Sequence, residues 1–341
     1  MKNQQRFDDF VNLGKVISQY LATESPVLQE VMQRAKAENP WFTIQNQRFA
    51  LQAITQWLNV ETLLPWVQTY PLSQYERPKD VAVVMAGNIP LVGFHDFLCV
   101  LLANHRIIVK PSHKDQQLIT WLSQLLIAIQ PEFADAIRFE SNILPHFDAI
   151  IATGSQLTQS HFETYFSNKL HIFRGHRNSV AVLNGQETPD NLKHLFEDMF
   201  RYFGLGCRNV SMLYVPKGYD FNPLYAAAES CTDLFTELQQ HHSFQNNYLY
   251  QKIAFSMGRI PFMDCGTFLL CKSTRLPPPL SVVHFTYYDD LRMLTNTLST
   301  QALQCSVGYG QNIAFGQAQH PTLSDYADGI DTMKFCVNLG Q

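Results

Sequence analysis

The chain has 341 residues, 46% hydrophobic and 16% charged, with 25 Lys and Arg against 29 Asp and Glu for a net charge of −4. That composition excludes a disordered chain and, since basic residues form no long run, a general nucleic-acid binder. Seven scattered cysteines, odd in number and without a CxxC pair, argue against a disulfide framework or a structural zinc site. Residues 1–15 hold no apolar stretch of signal-peptide type, and no run of about 18 uncharged apolar residues occurs anywhere. A cytoplasmic protein without a membrane span is therefore expected, and the length predicts two domains.

Residues 1 to about 75 read as helical, with Phe7, Phe10, Val11, Leu13 and Ile17 at helical spacing and a second such stretch from Gln45 to Leu58. The texture then changes. Val81 to Ala86 is a continuous apolar run of strand length, broken by Gly87-Asn-Ile-Pro90. Leu91 to Asn104 reads as a helix, Arg106 to Lys110 as a strand closed by Pro111-Ser112, and Leu118 to Ile129 as a helix. Asp148 to Thr153 reads as a strand, after which Gly154-Ser155 opens a helix through Phe166. Continuous apolar strands alternating with helices predict an α/β fold with a parallel sheet, and ligands of such sheets bind at the carboxyl ends of the strands. Asn88, Lys110 with Ser112, and Gly154-Ser155 all fall at those ends.

From about residue 170 a second unit begins. Ser179 to Leu183 reads as a strand, and Thr188-Pro189 as a helix start with a Thr cap and Pro at the first helical position. Leu192, Leu195, Phe196, Met199, Phe200 and Phe203 trace one apolar face, Gly204 and Gly206 stop the helix, and Val210 to Val215 is the next strand. Cys207 falls between helix end and strand. On local context it is either a nucleophilic thiolate, with glycines allowing close approach and Arg208 favouring the charge, or a buried small hydrophobe. Cys305 is the least ordinary of the other six. Asn88 is equally a turn residue before Ile-Pro, and Lys110, Ser112, Gly154 and Ser155 are equally strand-end and helix-cap residues.

Four motifs, in order and spacing, resemble the aldehyde dehydrogenase superfamily: Gly87-Asn-Ile-Pro90, Val109-Lys-Pro-Ser112, Thr153-Gly-Ser155 and Gly204-Leu-Gly-Cys207. Gly87 to Gly93, Phe203 to Ser211 and the tail Asp325 to Thr332 resemble more narrowly the acyl-CoA reductases of the LuxC type. The resemblance runs from about residue 80 to the C-terminus. It implies Cys207 as nucleophile, Asn88 with the Cys207 N–H as oxyanion holder, Lys110 and Ser112 at the adenosine ribose, and Gly154 and Ser155 beneath the dinucleotide. It also implies an aldehyde dehydrogenase-like fold, with helices and a Rossmann-like cofactor domain over 1–170, a smaller α/β catalytic domain over 171–325 facing it across a cleft, and a tail over 326–341 that packs back or meets a second subunit.

Three departures refine the expected chemistry. Aligning Ile172-Phe-Arg-Gly-His176 with the stretch that carries the hydrolytic members' general base puts Phe173 at the glutamate, which favours exchange of the acyl group with coenzyme A over hydrolysis. His113 replaces the acid that often follows Lys-Pro-Ser, which admits NADPH, with NADH as the alternative. The family's second glutamate has no match between Leu280 and Asp290. His176 is either a proton shuttle or one of 12 histidines in a turn, and the His241-His242 pair lacks the further ligands a metal needs. The expected function is reduction of a fatty acyl-CoA or other activated acyl group to an aldehyde with NADPH, through a thioester on Cys207, with coenzyme A as leaving group. Hydrolytic aldehyde oxidation, acyl transfer alone and a non-catalytic relative stay open beside it, as does a homo-oligomer.

Overall fold

The computed structural model describes residues 2–72, 78–154 and 162–339. The chain divides into two compact units, Met1–His176 with Thr322–Gln341, and Arg177–Pro321.

In the first unit, β1 (Asp80–Val84), β2 (Arg106–Lys110), β3 (Ile137–Phe139), β4 (Ala149–Thr153) and β5 (Leu170–Arg174) form one sheet in the order β3-β2-β1-β4-β5. All four pairings are parallel. Alternate residues feed opposite faces, as the two-residue period of a strand requires. Val81, Val83, Ile107, Val109 and Ile151 enter the large core with Phe10, Leu13, Leu51 and Leu98, whereas Ala82, Ile108, Ile150 and Phe173 face the other way with Phe147. The N-terminal helices, Lys2–Ala22, Pro26–Glu38, Ile44–Trp57 and Val60–Val67, contribute to that large core, the first packing on helices Phe94–Leu102 and Gln117–Ile129. The order in which strands are added to the sheet reverses between β1 and β4. The crevice at that reversal, on the carboxyl ends of the strands, is where open α/β sheets take ligands.

The C-terminal segment completes this unit. Met333, Cys336 and Val337 of helix Thr332–Asn338 are buried in the large core. Arg174, at the end of β5, is buried and donates to both Asp96 carboxylate oxygens at 2.9 and 2.7 Å and to Thr332 Oγ1 at 2.5 Å. Both bonds to Asp96 come from Nη1 and the one to Thr332 from Nη2, so the guanidinium ties helix Phe94–Leu102 to the C-terminal helix.

The second unit holds β6 (Asn178–Val182), β7 (Val210–Pro216), β8 (Phe262–Asp264), β9 (Leu269–Lys272), β10 (Val282–Tyr288) and β11 (Leu303–Gly308), in the order β11-β6-β7-β10-β9-β8. Only β8 runs antiparallel to its neighbour. Helix Pro189–Phe200 opens with a capping box between Thr188 and Asn191 and buries Leu192, Leu195, Phe196, Met199 and Phe200 of the face read from the sequence, but it ends before Phe203, which is buried in a left-handed turn and not on the helix. No helix among the described residues is long and apolar enough to cross a membrane.

Candidate active site

The first unit assembles its site residues on the loops after β1, β2 and β4. Met85 N donates to Lys110 O at 3.0 Å, so β1 and β2 stay paired up to the point where their loops begin. The loops then touch: a Cβ on Gly87 would lie 2.6 Å from Ser112 Cβ, a gap that only glycine permits. Ser112 Oγ accepts from Lys114 N at 3.2 Å. Asn88 follows Gly87 and is half-buried. The loop ends at Leu91, whose φ of 58° is left-handed and whose N–H donates to Asp115 Oδ2 at 2.8 Å. Asp115 is buried, and its Oδ1 has no hydrogen-bond partner among the described residues. Burial pushes its carboxyl up to about 8.

Lys110, at the last position of β2, donates its ammonium to Asn142 O. Gly154 N donates to Arg174 O at 3.1 Å, extending the β4–β5 ladder by one bond. Ser155 and the start of the helix expected after it lie outside the described residues. Phe173 sits inside β5 opposite Ala152 and stacks on His171 with ring centroids 4.2 Å apart. His176 is exposed on the segment between β5 and β6.

The second unit carries Cys207 on a turn that is held at several points. After helix Pro189–Phe200 the chain enters the left-handed region for three residues, Tyr202 (57°), Phe203 (59°) and Gly204 (75°). For Tyr and Phe this conformation costs on the order of 1–2 kcal/mol each and persists only when the surroundings enforce it. The buried Asn209 supplies part of that enforcement. Its amide donates to Asp198 O at 3.1 Å and Arg201 O at 2.7 Å, and its oxygen accepts from Gly206 N at 2.8 Å. Cys207 is half-buried, and its carbonyl accepts from Ser179 Oγ at 2.9 Å. Ser179, at the head of β6, is fully buried and also accepts from Cys305 N at 3.2 Å and Cys305 Sγ at 3.1 Å. A hydroxyl offers one donor and two acceptor positions, and all three are used here. Arg208 Nε donates to Ala318 O at 2.5 Å.

Ser179 was not legible as a site residue, because a serine heading an apolar strand carries no distinguishing pattern. Asp115, Asn209 and Asp198 were missed for the same reason: their partners lie elsewhere in the chain. Asp198 accepts from Gly316 N at 2.7 Å and Ala318 N at 2.8 Å. Burial pushes its carboxyl up to about 7 despite those bonds and the nearby Arg208. A carboxyl whose folded value exceeds its unfolded one binds a proton more readily when folded. Its contribution to stability is therefore present below pH ~4 and is lost as pH rises through about 7. Denaturant unfolding of Asp198→Asn is accordingly expected to show a flatter loss of stability between pH 5 and 8 than the parent chain. An identical slope would show that Asp198 does not titrate there.

No group of three or more His, Cys, Asp or Glu side chains among the described residues could hold a metal ion. The described site residues thus fall into two sets, Asn88, Lys110, Ser112 and Gly154 in the first unit and Cys207 in the second, with His176 at the segment that joins them.

Solved structures place this fold. Aldehyde dehydrogenase 21 from Physcomitrella patens, solved with its reaction product succinate, superposes with a TM-score of 0.71 at 13% identity, over 99% of this chain and 84% of that one. An aldehyde dehydrogenase from Bacillus cereus in complex with NAD+ matches with a TM-score of 0.65 at 12% identity, over 92% and 73%. One from Mycobacterium tuberculosis, also with NAD+, gives 0.64 at 12% identity, over 90% and 73%. The α/β architecture, a parallel sheet and a mixed one, is therefore aldehyde dehydrogenase-like, as the resemblance predicted. No curated protein matches the chain. The family model described as acyl-CoA reductase (LuxC) matches residues 58–241. That span is just over half of the sequence and includes Asn88, Lys110, Ser112, Gly154 and Cys207; the chain belongs to the LuxC acyl-CoA reductase family.

Proposed function

We propose that this oxidoreductase reduces a fatty acyl-CoA to the aldehyde through a thioester on Cys207, with the first unit holding the nucleotide and the second the nucleophile. The observation that carries the reading is the Cys207 turn. A half-buried thiol sits on a strained, multiply anchored turn within the family match, with its carbonyl fixed by Ser179.

The residues at the carboxyl ends of β1, β2 and β4 fit a dinucleotide. The Gly87 backbone lies closer to Ser112 than any side chain would permit, and a lysine and a glycine stand at the ends of the neighbouring strands. Lys110 and Ser112 would hold the adenosine ribose, and Gly154 with Ser155 the phosphates. When bound, reduced nicotinamide supplies the hydride that discharges the acyl-cysteine as aldehyde. NADPH is the preferred form, since His113 carries no carboxylate to repel a 2′-phosphate.

The chain's own residues do the acyl transfer. The Cys207 sulfur attacks the thioester carbonyl, and the Asn88 amide with the Cys207 N–H takes the charge that develops on oxygen. The coenzyme A thiolate leaves with a proton that His176 delivers. Phe173, at the position of the hydrolytic members' general base, activates no water, so the acyl-enzyme survives until it is reduced. The deciding experiment supplies acyl-CoA and NADPH and identifies the product. Aldehyde supports the reading; free fatty acid assigns the protein to hydrolysis, and coenzyme A release that needs no nicotinamide assigns it to acyl transfer.

Ser179→Ala removes the donor to the Cys207 carbonyl and an acceptor for Cys305. One lost hydrogen bond is worth about 1 kcal/mol, and a misplaced nucleophile costs up to about 100-fold. Pre-steady-state coenzyme A release is expected to slow at least tenfold with the half-saturating acyl-CoA concentration unchanged. An unchanged rate would show that the turn holds Cys207 without this bond.

A further inference from the structure

Resting on that reading, we infer that Asp115 is a positioning residue for Asn88, holding the far end of the oxyanion loop through Leu91. The turn from Ser112 to Asp115 meets the loop after β1 at two points. Ser112 packs against Gly87 at the start of the loop, and Asp115 Oδ2 accepts from Leu91 N at 2.8 Å at its end. Only Asn88, Ile89 and Pro90 lie between the two points. The turn is closed on itself as well, since Asp115 N donates to Ser112 O at 2.9 Å.

The carboxylate is committed to this task rather than to a local one. An aspartate just ahead of a helix ordinarily caps it. Helix Gln117–Ile129 begins two residues after Asp115 and has no side-chain cap at Gln116, while the aspartate reaches 24 residues back to Leu91. Leu91 needs such an anchor. Its left-handed φ of 58° is unfavourable for a branched side chain, and its carbonyl accepts from Phe94 N at 3.0 Å to start helix Phe94–Leu102. With the Asp115 bond removed, Leu91 can relax towards an ordinary conformation and swing the preceding residues with it. A displacement of about 1 Å at a group that must face a developing charge costs up to 100-fold in rate.

Asp115→Ala, Asp115→Asn, Asn88→Ala and the Asp115→Ala/Asn88→Ala double variant test this, with acylation of Cys207 by saturating palmitoyl-CoA followed as coenzyme A release in a single turnover. Asp115→Ala is expected to slow acylation about 10- to 100-fold. Asp115→Asn, which keeps an oxygen for Leu91 N and resembles the uncharged carboxyl that burial favours, is expected to recover most of that loss. In the Asn88→Ala background the Asp115→Ala change is expected to add less than about threefold, because the group it positions is gone. An Asp115→Ala chain that acylates at the parent rate overturns the inference, as does an equal loss with and without Asn88. If Asp115→Ala does not fold, Asp115→Ser, too short to reach Leu91, takes its place. A parent chain that takes no acyl group overturns the function reading and this inference together. A parent chain that is acylated, with variants that ignore Asn88, overturns this inference alone.

Discussion

Cys207→Ala is expected to abolish acyl transfer, with coenzyme A release from acyl-CoA falling by roughly 10⁴-fold or more, as removal of a nucleophile does. Folding is expected to survive. Cys207 is only half-buried, and the bond from Ser179 Oγ to its backbone carbonyl is one that alanine keeps. Equal denaturant midpoints for the two chains check this. The remaining cysteines do not substitute. Burial raises the thiols of Cys99, Cys231, Cys265, Cys271 and Cys336 away from the thiolate that attacks carbonyls, with Cys265 pushed up to about 12. Cys305 is buried with its thiol committed to Ser179. An alanine variant that still gains an acyl adduct would move the nucleophile elsewhere.

Asn88→Ala is expected to lower the acylation rate about 10²- to 10³-fold, the cost of deleting one donor aimed at an oxyanion. In the proposed role the amide meets charge that is present only as the carbonyl is attacked, so the half-saturating acyl-CoA concentration is expected to change little. Comparing rate and half-saturation separates this role from a structural one. An asparagine that merely shaped the loop would move both, together with the denaturant midpoint.

These two effects concern residues that the sequence singled out, and the reason they were legible is positional. Asn88 and Lys110 lie at the ends of runs of β-branched and small apolar residues; the second run is β2 to the residue, and the first is β1 except that the strand stops at Val84, two residues before Ala86. Parallel strands buried on both faces write such runs plainly. The edges of both sheets were less visible. The edge strand β5, Leu170–Arg174, overlaps the aligned stretch Ile172–His176 but does not read as a strand, because its first two residues are exposed and the pattern is broken. The edge strands Ile137–Phe139 and Phe262–Asp264 are too short to stand out, and Leu303–Gly308, also at an edge, carries a register shift between Leu303 and Ser306.

The supporting residues were illegible for a different reason. Ser179 acts on Cys207 from 28 positions away and on Cys305 from 126, and Asp115 acts on Leu91 from 24. None of these distances produces a local period or a motif. Asp198 reads as one polar position on an amphipathic helix, and only the fold brings Gly316 N and Ala318 N to its carboxylate. Sequence pattern thus exposes the candidate chemical groups at strand and helix ends, while the groups that hold them are fixed by tertiary contacts.

The proposed acyl group on Cys207 is covalent and waits for hydride. Intact mass of the protein, after incubation with palmitoyl-CoA and without nicotinamide, tests it most directly. The expected result is a gain of one palmitoyl group, absent in Cys207→Ala, that persists in buffer and is lost as aldehyde when NADPH is added. An adduct that water discharges as fatty acid, an adduct that NADPH leaves in place, or no adduct on Cys207 at all would contradict it.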